Sequence, residues 1–371
     1  MAAAAASQPG VPSQRTALTE LSAEQLRALL DDLGQPRYRA QQVMHHLYQR
    51  QVEEIGDMSD LPAALRAQLA SQFTTAGLQL ASTSRSDDGQ TIKLLLRATD
   101  GQLVEAVSIQ EPASSPGRPR HTVCVSSQVG CAMGCQFCAS GLDGVSRHLS
   151  MGEMIDQVVH VARRCGPISN VVFMGMGEPL ANVRQVTATL RQLCDSDSFG
   201  FGARRVTVST VGVVPGIREL ANLELPVGLA VSLHAADEVL RARLVPATRR
   251  WSLAQVLAAA GDYAASSSRT VTYEYVLLAE INDGARHADQ LGALLAQQPA
   301  KVNLIPYNPV PELQQFHRPS PARVAEFRRR VAQAGVRVTV RKAKGDEVAA
   351  ACGQLRRHAH MASADADAPP A

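Results

Sequence analysis

Seven short apolar runs, at 122–126, 171–176, 206–210, 229–233, 271–277, 302–305 and 336–340, are separated by stretches whose apolar residues recur at helical spacing. That alternation leaves few folds open, because parallel strands need a crossover of a dozen or more residues and a helix is the compact way to make one. Six strand and helix units before the last run predict an α/β chain built as a partial (β/α)6 barrel of the TIM type, short of the complete eight-unit form. Ligands in such arrays collect at the C-terminal strand ends, so the residues just past each run are the first candidates for a site.

Before this array the pattern changes twice. Residues 1–16 are rich in Ala, Ser, Pro and Gln without periodicity, and 357–371 are similar, so both are expected to be disordered tails. Residues 17–77 read as a small helical N-terminal domain. Ser22 can cap a helix from Ala23 with Gln25 three residues on, Leu26, Leu29 and Leu30 share a face, and helical patterns follow at 39–50 and 62–73. Over 78–120, alternating strands broken at Asp88-Gly89 and Asp100-Gly101 predict a short β-meander, with strands at 91–97 and 102–109, and a Pro-rich linker. The barrel and a C-terminal segment then occupy 121–356.

No stretch approaches the roughly 18 uncharged apolar residues of a membrane span, and Met1 to Ala6 lacks the basic start of a secretory signal, so a cytoplasmic protein with no membrane partner is expected. A net charge of +3 permits an RNA partner without requiring one. Aromatic residues make up only 4%, which argues against stacking platforms and for recognition by shape and backbone.

Three of the seven cysteines crowd into Cys131-Ala-Met-Gly-Cys135-Gln-Phe-Cys138, past the first barrel strand. Such clustering suggests metal ligation in a reducing compartment, not a disulfide framework. Thiolates suit zinc or an iron–sulfur cluster. Zinc would want a fourth ligand, for which His148 or Cys124 are at hand without a usual finger spacing. Three thiolates on a four-iron cluster would leave one iron open to a small molecule, and this spacing, with an aromatic before the last cysteine, is the radical S-adenosylmethionine signature.

Other strand ends carry candidates. The run at 171–176 leads into Gly175-Met-Gly177-Glu178-Pro179, where small residues admit a ligand to the backbone and Glu178 presents a carboxylate, although such a triplet also suits a plain turn. Ser209, Ser232 and His234 end the next two runs, and Asn308 follows the sixth. A lone histidine at a strand end is usually structural, and Asn308 is also a turn former.

Together, Val125-Ser-Ser-Gln-Val-Gly-Cys131, Phe173-Met-Gly-Met-Gly-Glu-Pro179, 206–217, Ala230-Val-Ser-Leu-His-Ala235, 303–309 and Ala351-Cys-Gly-Gln-Leu355 resemble the RlmN and Cfr family of radical S-adenosylmethionine RNA methyltransferases, in the same order, from about residue 18 to 355. The wording is most like the RlmN branch. The resemblance implies a [4Fe-4S] cluster on Cys131, Cys135 and Cys138. It places S-adenosylmethionine against Gly177, Glu178, Ser209, Ser232, Leu233, His234 and Asn308. It assigns Cys352 as the methyl-carrying cysteine, Cys124 as its later disulfide partner and Glu105 as proton acceptor.

The implied reaction methylates carbon 2 of an adenine in 23S rRNA and of the adenine next to the anticodon in tRNA. It consumes two S-adenosylmethionine molecules and passes through a methyl-cysteine and a 5'-deoxyadenosyl radical. A flavodoxin-like or ferredoxin-like electron donor and a monomeric enzyme are expected. The residues make sense of this chemistry, since carbon 2 lies between two ring nitrogens and is too electron-poor to attack an electrophilic methyl, whereas a carbon radical on a cysteine methyl adds to it. Release then needs a base and a second thiol. Arg163-Arg164, Arg204-Arg205, Arg249-Arg250, Arg328 to Arg330 and Arg356-Arg357 are candidate phosphate contacts, though such pairs usually form solvated faces. The sibling reaction at carbon 8 uses the same residues, and a metal-stabilised RNA-binding protein without catalysis would need only the loop thiols.

Overall fold

A computed structural model of the chain describes residues 15–113, 119–341, 348–351 and 353–355. Most of both expected tails, Arg356-Arg357 and Cys352 lie outside the described residues.

At the N-terminus, β1 (Thr16–Ala17) pairs in parallel with β2 (Phe73–Thr74), and α1 (Ala23–Asp32), α2 (Tyr38–Met44) and α3 (Ala63–Gln72) run between them. The Ser22 hydroxyl accepts the Gln25 N–H while the Gln25 side chain accepts the Ser22 N–H, which closes the predicted cap. The helical pattern at 39–50 divides into α2 and a wider turn, His45–Gln49. Two-residue strands carry no periodicity, so the β1–β2 clasp had no sequence signal.

The meander consists of β3 (Gln79–Arg85), β4 (Thr91–Arg97) and β5 (Leu103–Glu111), and β5 pairs antiparallel with β6 (Arg120–Cys124). A small hairpin follows, β7 (Gln128–Gly130) with β8 (Val145–His148). Then come α4 (Met151–Cys165), β9 (Asn170–Phe173), α5 (Val183–Cys194), β10 (Val206–Thr210), α6 (Val214–Ala221), β11 (Gly228–Ser232), α7 (Glu238–Leu244), α8 (Leu253–Ser267), β12 (Val271–Leu277), α9 (Ala285–Leu295), β13 (Ala300–Pro306), α10 (Pro321–Gln333) and β14 (Arg337–Val340). The sheet order is β14-β13-β12-β11-β10-β9-β6-β5-β4-β3, with β6 and β9 to β14 parallel. This is the expected α/β partial barrel, six strand and helix units with a seventh strand. The meander extends the same sheet beyond β6.

Strand alternation sorts residues onto two faces. Leu94, Leu96, Val104 and Ala106 join the main core with Met154, Ile155 and Val158 of α4. Lys93, Leu95, Glu105 and Val107 take the opposite, inner face. There Lys93, Val107, Cys124 and Val172 form one cross-strand row.

Candidate active site

The cysteine loop is the tip of the β7–β8 hairpin, a pairing too short to leave an alternation in the sequence. Its base closes where the Cys131 N–H donates to the Gly144 carbonyl at 2.9 Å. Gly130 has φ +78°, and a Cβ there would fall 2.0 Å from the Gly144 oxygen, so no other residue fits. Gln128 ties this hairpin to the next strand end: its Oε1 accepts the Glu178 N–H at 2.8 Å, and its Nε2 lies 2.9 Å from His148 Nδ1.

Cys131, Cys135 and Cys138 line one cavity at the C-terminal strand ends, together with Gly177, Glu178, Ser209, Ser232, His234 and Asn308. The cavity encloses about 980 Å³ of non-atom space, open mouth included, the size of a cofactor pocket. Burial pushes the Cys131 thiol up to about 12 and the Cys135 and Cys138 thiols above their ordinary value. For Cys135 the neighbouring thiolates add to the burial. Among the described residues no three His, Cys, Asp or Glu side chains gather tightly enough to enclose a single metal ion. His148 bonds Gln128, Cys124 packs with Val107, Val172 and Met176, and neither lines the cavity that holds the three cysteines.

The Glu178 carboxylate is held more tightly than the sequence suggested. Oε1 accepts the Leu180 N–H at 2.9 Å and Oε2 the Val211 N–H at 2.8 Å, so it pins the ends of β9 and β10 together. Burial nonetheless pushes it up to about 7. Gly177, at φ +101°, brings backbone against Gln128, where a Cβ would come within 2.6 Å of the Gln128 Cβ.

His234 is buried and its Nδ1 accepts the Val276 N–H at 3.1 Å, which leaves the proton on Nε2. Burial, with the Arg241 charge adding, pulls its pKa down to about 3, so the ring is neutral. Phe137, inside the cysteine motif, packs edge-on against it, centroids 4.8 Å apart. Asn308 is buried with Oδ1 accepting from Arg318 Nη2 at 2.9 Å. Leu233 differs from its neighbours: its side chain lies in the apolar core and is not part of the cavity wall.

Glu105 is buried on the inner face of β5, with Lys93 Nζ 2.8 Å from its Oε1. Cys124 shares an apolar cluster with Ala350 and Leu355, which flank the segment containing Cys352. That C-terminal segment docks on the cysteine loop. The Ala139 N–H donates to the Gly353 carbonyl at 2.8 Å, the Ser140 hydroxyl donates to the Leu355 carbonyl at 2.6 Å, and Gly353 and Leu355 line the cavity.

Three further residues escaped the sequence reading. Lys93 stands alone in an otherwise apolar run, Thr91-Ile-Lys-Leu-Leu-Leu96, and that exception was its only signal. Arg241 is fully buried, donating to the Leu233 and Val211 carbonyls at 3.2 and 2.6 Å, while its Nη1 has no partner among the described residues. Tyr307 lines the cavity, and its hydroxyl is likewise without a described partner. Of the arginine pairs, Arg163 is consumed by the Gln51 and Val52 carbonyls and Glu53, and Arg329 and Arg330 by Glu326. Arg204, Arg205, Arg249 and Arg250 are exposed.

A partial barrel with a three-cysteine loop over its C-terminal strand ends defines a radical S-adenosylmethionine enzyme, and the Radical SAM superfamily profile matches residues 125–291. A second profile, the ribosomal RNA large subunit methyltransferase N-terminal domain, matches residues 16–74. The chain is 46% identical over 344 residues to a probable dual-specificity RNA methyltransferase RlmN of Rhodopirellula baltica, covering 92% of this chain and 91% of that one. It is 42% identical over 351 residues to the ribosomal RNA large subunit methyltransferase N of Nitrosopumilus maritimus, covering 92% and 98%. A crystal structure of a radical SAM methyltransferase from Sphaerobacter thermophilus, 43% identical, superposes with a TM-score of 0.88 over 92% of this chain and all of that one. The chain belongs to the RlmN family of radical S-adenosylmethionine RNA methyltransferases.

Proposed function

We propose that this enzyme methylates carbon 2 of an adenine in 23S rRNA and of the adenine next to the anticodon in tRNA. The observation that carries the reading is convergence. Three loop thiols, the glycine-lined strand ends and Gly353 and Leu355 of the C-terminal segment share one cavity, and Cys124 and Glu105 stand on the adjoining inner face.

Cys131, Cys135 and Cys138 would hold a [4Fe-4S] cluster. Three thiols lining one cavity, and withdrawn from water so that only metal favours their charged form, suit a cluster that gives each sulfur its own iron. Gly177, Glu178, Ser209, Ser232, His234 and Asn308 would surround S-adenosylmethionine. The Glu178 carboxylate holds the two strand ends, which leaves backbone at Gly177 and Glu178 to meet the amino group, and Leu233 contributes through the chain that it anchors. Bound together, cluster and S-adenosylmethionine supply a one-electron cleavage that yields a hydrogen-abstracting carbon radical.

The protein's own residues do the rest. Cys352 carries the methyl group whose carbon bonds the ring, and the adduct gives back one electron to the cofactor centre that supplied it and its ring proton to Glu105. The Cys124 thiolate then attacks the Cys352 sulfur, so that an S–S bond forms as the sulfur–carbon bond breaks and the freed carbon takes up a proton. The product leaves with its methyl, and the Cys124–Cys352 disulfide is reduced from outside before the next turnover. The target base leaves its stack to reach so enclosed a site, and residues 17–77 act as an accessory unit holding RNA beside the barrel at 121–356.

Mass spectrometry of nucleosides from unmodified ribosomal and transfer RNA, reacted with the reconstituted enzyme or its Cys352→Ala variant, tests this. The expected result is 2-methyladenosine with the intact enzyme alone. 8-Methyladenosine would move the reading to the carbon 8 reaction, and no methyladenosine with one zinc per chain would overturn it.

A further inference from the structure

Glu105 is a carboxylate almost wholly removed from water. Its side chain is 4% exposed, on a sheet face shared with Leu95, Val107 and Val172. Burial of this kind disfavours ionisation, by up to about 3–5 pH units for a fully buried group. A protonated Glu105 is no proton acceptor. The same residue is nonetheless 2.8 Å from Lys93 Nζ, whose side chain is only 9% exposed, and this ammonium also approaches the Ala349 carbonyl at 3.4 Å. Ala349 belongs to the segment that leads into the docked C-terminal turn.

We propose that Lys93 is a positioning residue for methyl transfer, which keeps Glu105 ionised and couples that charge to the seating of the C-terminal cysteine segment. This rests on the reading of Glu105 as proton acceptor. Its basis is the juxtaposition of one ammonium with two acceptors that come from distant parts of the chain, the Glu105 carboxylate and the Ala349 carbonyl.

Lys93 is the cation in direct contact with the Glu105 carboxylate. Among the described residues, β4 brings Lys93 and the exposed Arg97 to this face, β5 also carries Glu111 and β6 carries Arg120 and Cys124, Arg341 reaches Met174 from the end of β14, and β3 offers the hydroxyls of Ser82 and Ser84 in the matching rows. Glu153, Asp156 and His160 belong to α4, which packs beneath the opposite face with Leu94, Leu96, Val104 and Ala106. When the carboxylate takes the ring proton, the Lys93–Glu105 attraction weakens and the ammonium keeps its bond to Ala349. A proton moves from the ring carbon to a Glu105 oxygen.

The test follows the bound intermediate in the full-length reconstituted enzyme. Cys352 methylation is read by peptide mass spectrometry, the covalent RNA adduct by denaturing gel, and adduct release as a function of pH. Glu105→Gln sets the reference by accumulating adduct. Lys93→Met is expected to methylate Cys352 normally and to accumulate adduct near neutrality. The acid limb of its release should move up by about one to three pH units, the size of an opposite-charge effect on a carboxylate. Lys93→Arg should restore the wild-type limb.

Should Lys93→Met fail to accumulate folded, Lys93→Gln keeps a donor for both oxygens without the charge and is expected to show the same shift. An unmoved acid limb in a folded Lys93→Met or Lys93→Gln enzyme, with Glu105→Gln still stalling, overturns the role of Lys93 alone. A Glu105→Gln enzyme that releases product at the wild-type rate overturns the reading of Glu105 and this proposal with it.

Discussion

At the scale of single residues, the strand-end glycine makes the most exposed claim. Gly177 combines φ +101° with a Cβ position 2.6 Å from the Gln128 side chain. Gly177→Ala therefore adds both backbone strain and overlap, each about 1–3 kcal/mol. The variant is expected to melt lower and to bind S-adenosylmethionine at least about tenfold more weakly, measured by calorimetry on the reconstituted protein. Wild-type affinity would remove this segment from the cofactor site. Gly177 was legible because small residues at a strand end are a local pattern, and the cysteine triad was legible for the same reason. Lys93, Arg241 and Tyr307 were not, because what makes them notable is a partner, or the lack of one, far away in sequence. Lys93 meets Ala349 across 256 positions, and no window of sequence spans that distance.

At the scale of elements, two local structures position the chemistry, and neither has a periodic signature. The β7–β8 hairpin is too short to alternate, and the C-terminal turn is defined by contacts to other parts of the chain. Gln354 holds that turn twice, its Oε1 accepting the Ala351 N–H at 3.1 Å and its Nε2 donating to the Pro309 carbonyl at 2.8 Å. Losing two such bonds costs about 1–3 kcal/mol. Gln354→Ala should load iron normally, since Gln354 bonds Ala351 and Pro309 and none of the three cysteines, while RNA methylation falls about tenfold. Equal losses of iron and activity would show instead that the turn is needed to build the cysteine loop. The barrel strands and the N-terminal helices, by contrast, were placed from sequence within a few residues because burial on one face writes its period into the chain.

At the scale of the whole molecule, the sequence divides the chain more sharply than the fold does. Leu18, Leu26 and Leu30 belong to the same core cluster as Met154 and Ile155 of the barrel helix α4, so deleting the N-terminal region would uncover apolar surface, and point changes test its role more cleanly. Asp156 of α4 is the polar counterpart of that contact. Its Oδ2 accepts the Gly77 and Leu78 N–H groups at 2.7 and 2.9 Å, at the junction between the helical region and β3.

Burial raises the Asp156 carboxyl from an ordinary value near 3.8 to about 7, against the pull of those donors. A folded pKa above the unfolded one means that this group's contribution to stability is fully present below about pH 4 and is lost as pH rises through 7. Glu178 acts in the same sense, and the buried His234, whose pKa is depressed, in the opposite one, so the wild-type curve alone is not diagnostic. Asp156→Asn keeps an acceptor for the two N–H groups and cannot ionise, and the other groups cancel in the comparison. The stability of wild type relative to this variant should fall by about 1.4 kcal/mol per pH unit between about pH 4 and 7, read from chemical unfolding at a series of pH values. A difference that stays flat across that window would mean that Asp156 is charged in the folded protein, and that the junction is held by an ionised carboxylate on two backbone N–H groups.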